Sequence, residues 1–171
     1  MGFPSLMGFS SLTRFPSLTR FPSLMLSLMP FLTALQVSAV TGRVDLVGTD
    51  PLLTIVVIPT TDPKHHILLD GPLMTQLRHV NGLEVELEGQ MHGRFLTVRQ
   101  FTVVAANGVP ATDGRLVAAG GDTLVLITAD GVHHHLVHPS PSLRSEVGGR
   151  IWLSGPLDRE PVAYGLIDNS P

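Results

Sequence analysis

An all-β fold, two small five-stranded Greek-key barrels in tandem, is what the 171-residue sequence predicts. Three observations lead there. From Val40 onward nearly every segment is either β-branched and apolar or strictly alternating, and these segments are bounded by Gly, Pro, Asn and Asp. One order of features also occurs twice. Gly42-Arg43-Val44, a strand, a turn, a second strand, a His-rich third strand, a short polar segment, Gly82 and Val85 to Gly89 form the first pass. Gly114-Arg115-Leu116, Thr123 to Thr128, Val132 to Val137, Gly148 and Ile151 to Gly155 form the second. Each pass is too short for two sheets, so each is expected to close on itself.

Residues 1–39 are a different kind of sequence, a low-complexity leader. Phe3, Phe9, Phe15 and Phe21 each open a copy of one hexad, and Pro4, Pro16 and Pro22 make a continuous helix through the copies unfavourable. Three readings compete. A secretory signal would use Arg14 and Arg20 as its basic region, Leu24 to Leu35 as its apolar core and Val37-Ser38-Ala39 as its cleavage site. A start assigned too far upstream would place the true first residue at Met7, Met25 or Met29. A functional repeat or membrane span is the third, but the apolar run is about a dozen residues against the ~20 that cross a bilayer. Export to the periplasm or the outside is therefore expected, with a cytoplasmic location if the leader is a start-site artefact and no transmembrane span in the mature chain.

The body reads strand by strand. Leu52 to Ile58, between Pro51 and Pro59, is a buried strand. His65-His66 is placed on the third strand. Pro72 to His79 has Leu73 and Leu77 four apart, which fits a short helix with one apolar stripe between strands three and four. Leu83 to Glu88 alternates, putting Leu83, Val85 and Leu87 on one face and Glu84, Glu86 and Glu88 on the other. Phe95 to Val104 is a long strand after the turn at His92-Gly93, with Arg94 and Arg99 as expected cross-strand partners of the glutamates. Asn107-Gly108-Val109-Pro110 is turn chemistry and marks the boundary between a first barrel at 40–106 and a second at 111–171. In the second pass Leu124 to Ile127, the turn Ala129-Asp130-Gly131 and the third strand follow. A shorter turn or single helical turn over Ser140 to Val147 then precedes Ile151-Trp152-Leu153 and Val162 to Ile167.

Composition narrows the functions. The chain has no cysteine, which excludes disulfides, thiolate metal sites and a cysteine nucleophile. Its formal net charge is −3, and because Arg14 and Arg20 are the leader's only charges the remainder is more acidic still. An acidic body neutralises phosphates poorly, so nucleic acid is an unfavoured partner. No Gly-x-Ser-x-Gly, Gly-x-Gly-x-x-Gly or phosphate-loop motif occurs, and Ser154 lacks the first glycine of the nucleophile pattern. The glutamate row fits a solvated face better than an acid–base pair.

Histidine is the residue type that stands out. His133 and His135 point the same way on a strand with Cβ atoms about 7 Å apart, and His138 could add a third imidazole. Together they are a candidate site for a divalent metal, and no other cofactor is expected; a solvent-facing polar strand is the ordinary use of such residues. Trp152 alternates with Ile151 and Leu153 and faces away from them, while Phe95 and Phe101 share a strand face suited to core filling.

Three strands, a short helix and two strands is the order of the OB-fold. Each pass resembles the small OB-fold modules of uncharacterised bacterial proteins, which often follow a signal peptide. The resemblance covers roughly residues 40–168 and rests on Gly42, Asp70-Gly71, Gly82 and Gly89, then on Gly114, Asp130-Gly131, Gly148 and Gly155. It implies a fold and lends no single function. The expectation is a non-enzymatic binding or structural module whose partner is another protein, an envelope component or a small ligand. A single-stranded nucleic-acid binder and a histidine metal binder are the alternatives.

Overall fold

The first strand among the described residues does two jobs, and its glycine shows how. The computed structural model describes residues 37–136, 138–158 and 160–169. Strand β1 (Val37–Val47) pairs through its first half with β4 (Glu84–His92) and through its second half with β2 (Thr54–Pro59), both antiparallel. Gly42 and Arg43 lie where the two partners overlap, opposite both Pro59-Ile58 and Val85-Glu84. A Cβ on Gly42 would stand 2.3 Å from the Ile58 carbonyl oxygen, so only glycine allows the strand to be shared.

Strand β3 (Ile67–Asp70) pairs antiparallel with β2 and parallel with β5 (Phe95–Ala106), which in turn pairs with β4. The first five strands therefore follow one another in the cyclic order β1-β2-β3-β5-β4 and back to β1. Helix α1 (Met74–Arg78) sits between β3 and β4 as the Leu73/Leu77 spacing predicts, with Leu77 fully buried. The alternation over Leu83 to Glu88 is also reproduced: Leu83, Val85 and Leu87 are buried and the three glutamates are exposed. His65 and His66, expected on a strand, lie in the turn ahead of β3.

The second half repeats these devices. Strand β6 (Val109–Ala118) pairs first with β9 (Arg150–Ser154) and then with β7 (Leu124–Ile127), overlapping at Gly114-Arg115. A Cβ on Gly114 would stand 2.4 Å from the Ile127 carbonyl oxygen. In the first half Val44 N–H donates to the Leu83 carbonyl and Gly82 N–H to the Val44 carbonyl; in the second Leu116 N–H donates to Gly149 and Gly148 N–H to Leu116. Gly82 and Gly148 both take positive φ at those corners. Helix α2 (Pro141–Arg144) is a single turn, capped by the Ser140 hydroxyl accepting from Leu143 N–H at 3.3 Å, and it buries Leu143 where α1 buries Leu77.

Two separate closed barrels are not what forms. Strand β8 (His133–Leu136) pairs with β7, and β10 (Ala163–Asp168) pairs with β9, but among the described residues β8 and β10 do not pair with each other. The second half is thus an open sheet. The reason is local. In the first half β5 is 12 residues long and its first three, Phe95 to Thr97, hold β3. Strand β10 has 6 residues, and the stretch before it contains Pro156 and Pro161, which supply no N–H to a ladder.

The halves are also joined into one ten-stranded sheet. Asn107 and Gly108, read as a boundary, are the two positive-φ residues of a hairpin turn that pairs Ala106 with Val109. Two cores result, around Val57, Leu87 and Phe101 in the first half and around Leu126, Leu143 and Leu153 in the second. Ile167 of β10 belongs to the first core, and Ala111 and Trp152 pack against it. Among the described residues no helix is long and apolar enough to cross a membrane. Val37 to Ala39 already pair with Gln90 to Glu88, so β1 includes three residues ahead of the expected start at 40.

Candidate functional site

Alternation along β9 turns Ile151 and Leu153 into the second core and Arg150 and Trp152 the other way, toward the first half. Arg150 is the centre of that junction. Its Nε donates to Asp113 Oδ2 at 2.9 Å, and Nη2 donates to the same oxygen and to the Phe101 carbonyl at 2.6 Å. Nη1 reaches Gln76 Oε1 at 3.4 Å, and the Gln76 amide donates to Asp168 Oδ2 at 2.8 Å. The guanidinium carbon lies 4.3 Å from the centroid of the Phe101 ring, a cation–π contact at a buried aromatic. This side chain ties its own strand β9 to α1, β5 and β6, and Gln76 carries the network on to β10.

Asp113 is 5% exposed. Burial pushes its carboxyl above the ordinary carboxylate value, and the Arg150 charge and hydrogen bonds pull the other way without cancelling it. Among the described residues no buried side-chain nitrogen or oxygen lacks a hydrogen-bond partner. The network is complete in itself and acts as a structural lock.

Around the lock is a groove. Its floor is β5, where Glu88 pairs with Gln100 and Gly89 with Val98, leaving Arg99 as the extra residue of a β-bulge. The bulge leaves both Arg99 and Gln100 exposed, and Arg99 Nη2 donates to Gln90 Oε1 at 3.2 Å. Gly89 makes the bulge possible, because a Cβ there would stand 2.2 Å from the Thr97 carbonyl oxygen. The expected pairing of Arg99 with the glutamates fails for this reason: Glu86 and Glu88 stand opposite Thr102 and Gln100.

The groove's roof is the β7–β8 turn. Thr128 N–H and hydroxyl both donate to the Val132 carbonyl, and the hydroxyl also reaches Asp130 Oδ1. That hydroxyl holds the Asp130 carboxyl below its ordinary value. Beneath the turn are two adjoining recesses of about 630 and 760 Å³ that share Gln100, Asp113, Thr128 and Ala129. The first is faced by Arg99, Arg115, Arg150 and Asp168. The second is faced by Val103, Val104, Ala111 and Val132, with Asp130 and His134 at its rim.

The three histidines read as a candidate metal site lie along β8 and just beyond it. His133 and His135 are exposed on β8, opposite Ile127 and Val125, while His134 between them faces the groove. His138 is exposed at positive φ beyond the strand. Among the described residues no three His, Asp or Glu side chains come together as a metal ion would need. Of the aromatics outside the leader, Phe101 is buried, Trp152 and Tyr164 are half-buried, and Phe95 is 44% exposed.

Sequence reasoning missed the groove and its lock. Trp152 facing away from Ile151 and Leu153 was the available signal: the same alternation puts Arg150 on the Trp152 face, and a face carrying both is an interface. Scanned against protein-family models, curated proteins and solved structures, the chain matches none.

Proposed function

We propose that the chain is a non-enzymatic binding module made of two OB-like units, the second incomplete, with its ligand seated in the groove between them. The cyclic strand order of the first half and its parallel β3–β5 pairing support the OB-like reading there. The paired corner glycines and their matching hydrogen bonds support it for the second.

One observation carries the binding role: two adjoining recesses, each of small-molecule size and mixed in lining, lie at the junction of the halves, the arginine-bearing one the more polar and the valine-bearing one the more apolar. The charged groups in the lock are engaged with one another, which favours binding over proton transfer. Among the described residues Phe95 is the one exposed aromatic, a poor stacking platform by itself, which favours a small ligand over single-stranded nucleic acid.

The test is an amide-resolved NMR screen of the full chain against a small-molecule fragment set, repeated with Ala129→Trp, which fills the roof of the groove. Shifts clustered on Gln100, Thr112 and Thr128 to Asp130 that disappear in the variant are expected. Shifts confined to β2 and β3, unchanged by the variant, would overturn the assignment.

A further inference from the structure

We infer that the groove selects a small oxyanion with an apolar tail, a carboxylate or phosphate head bound at the Arg99–Arg115 end; the inference rests on the groove being the binding site. The first recess brings three guanidiniums, of Arg99, Arg115 and Arg150, against two carboxylates, of Asp113 and Asp168. Asp113 is consumed by Arg150, its side chain 4% exposed, and one oxygen of Asp168 accepts from Gln76. Arg99 and Arg115 are both exposed, Arg115 also donating to the Gly148 carbonyl at 3.0 Å. Three guanidiniums against two carboxylates leave this recess one positive charge in excess on a chain of net charge −3, and the β-bulge leaves Arg99 exposed at its edge, where Nη2 also donates to Gln90 Oε1 at 3.2 Å.

Guanidinium forks bind carboxylate and phosphate oxygens in pairs, which sets the head. The tail follows from the second recess, the more apolar of the two, where Val104 and Val132 offer apolar surface among threonines and Val132 is 46% exposed. Asp130 at that rim accepts from the Thr128 hydroxyl and Val132 N–H through one oxygen, and the ω-amino probe tests whether its charge draws a cation to the tail's end.

Titration of the full ¹⁵N-labelled chain with octanoate, octyl phosphate, inorganic phosphate, octylammonium and the ω-amino counterpart of octanoate tests this. Saturable octanoate or octyl phosphate binding is expected, with shifts at Arg99, Gln100, Val104 and Val132, and whichever of the two binds tighter identifies the head. Inorganic phosphate alone should be weaker by about tenfold or more, and octylammonium should leave the groove unshifted. The double variant Arg99→Gln with Arg115→Gln should weaken octanoate by about tenfold or more, while Arg99→Lys with Arg115→Lys retains most of the affinity. Circular dichroism of both variants separates loss of charge from loss of fold. Octylammonium binding in the groove, tighter binding of the ω-amino acid, or octanoate affinity indifferent to the Gln variants overturns the ligand class. If such a probe is still blocked by Ala129→Trp, the groove survives as the site; octanoate shifts lying elsewhere and persisting in Ala129→Trp overturn the groove itself.

Discussion

Asp113 and Arg150 divide their costs unequally. The aspartate side chain is 4% exposed and the arginine 27%, so the carboxylate is the partner that most needs the other. Removing Arg150 leaves a buried carboxylate with no cation, whereas removing the negative charge leaves a guanidinium that still donates to the Phe101 carbonyl and reaches the solvent. Arg150→Met should therefore cost about 3–5 kcal/mol and Asp113→Asn about 2 kcal/mol. The pH dependence has a definite sign. Burial raises the folded-state value above 3.8, so between 3.8 and that higher value the folded protein holds a proton the unfolded chain has released. Stability contributed by this group is full below 3.8 and declines as pH rises through the folded value. Urea denaturation at a series of pH values should show that decline in the native chain relative to Asp113→Asn. A pH-independent difference between the two, or Asp113→Asn proving the costlier change, would contradict the account.

At the scale of elements, the shared strands β1 and β6 set the architecture, each paired to one neighbour through its first half and to another through its second. The crossing leaves no room above Gly42 or Gly114, since the nearest atoms are backbone carbonyls that cannot rotate away. Gly42→Ala and Gly114→Ala should each cost about 3 kcal/mol, the upper end of what overpacking usually costs. Gly131→Ala is the comparison: its φ is 82° but nothing lies within 4 Å of the added methyl, so about 1–2 kcal/mol of backbone strain is all it should lose. Equal losses at the three positions, measured by chemical denaturation, would show that the carbonyl contacts are not what glycine relieves. These glycines also show what was legible in the sequence. Gly42 and Gly114 were visible as recurring marks, the alternation of Leu83 to Glu88 gave a strand and its buried face, and the Leu73/Leu77 spacing gave α1. Pairing partners were harder to read. Asn107-Gly108 has the same chemistry whether it ends a domain or turns a hairpin. Pro156 and Pro161 signal a loop without saying which edge that loop leaves open. The groove was hidden further, because Arg99 enters it by a bulge that shifts the register of β5 against β4, and no alternation pattern in β5 alone encodes that shift.

For the whole molecule, the consequence is that the halves stand or fall together. The described residues all lie within one compact unit, and the first core contains Ile167, from the last strand of the second half, at 1% exposure. Trp152 lies over Gly165, whose missing side chain leaves room for the indole: a Cβ there would stand 2.6 Å from its Nε1. Two beads on a string would melt separately; a sheet continuous through β5–β6, with a core borrowed across it, should melt once. Trp152 fluorescence and far-ultraviolet circular dichroism should report coincident urea transitions. Ile167→Ala should lower both by the same amount, about 2–5 kcal/mol for a buried aliphatic truncation. The same coupling bears on the groove, because Arg99 belongs to one half and Thr128 to the other, and the lock holds their spacing before any ligand arrives. Separate transitions, or an Ile167→Ala effect seen by one probe alone, would mean that the halves move independently and the groove has no fixed width.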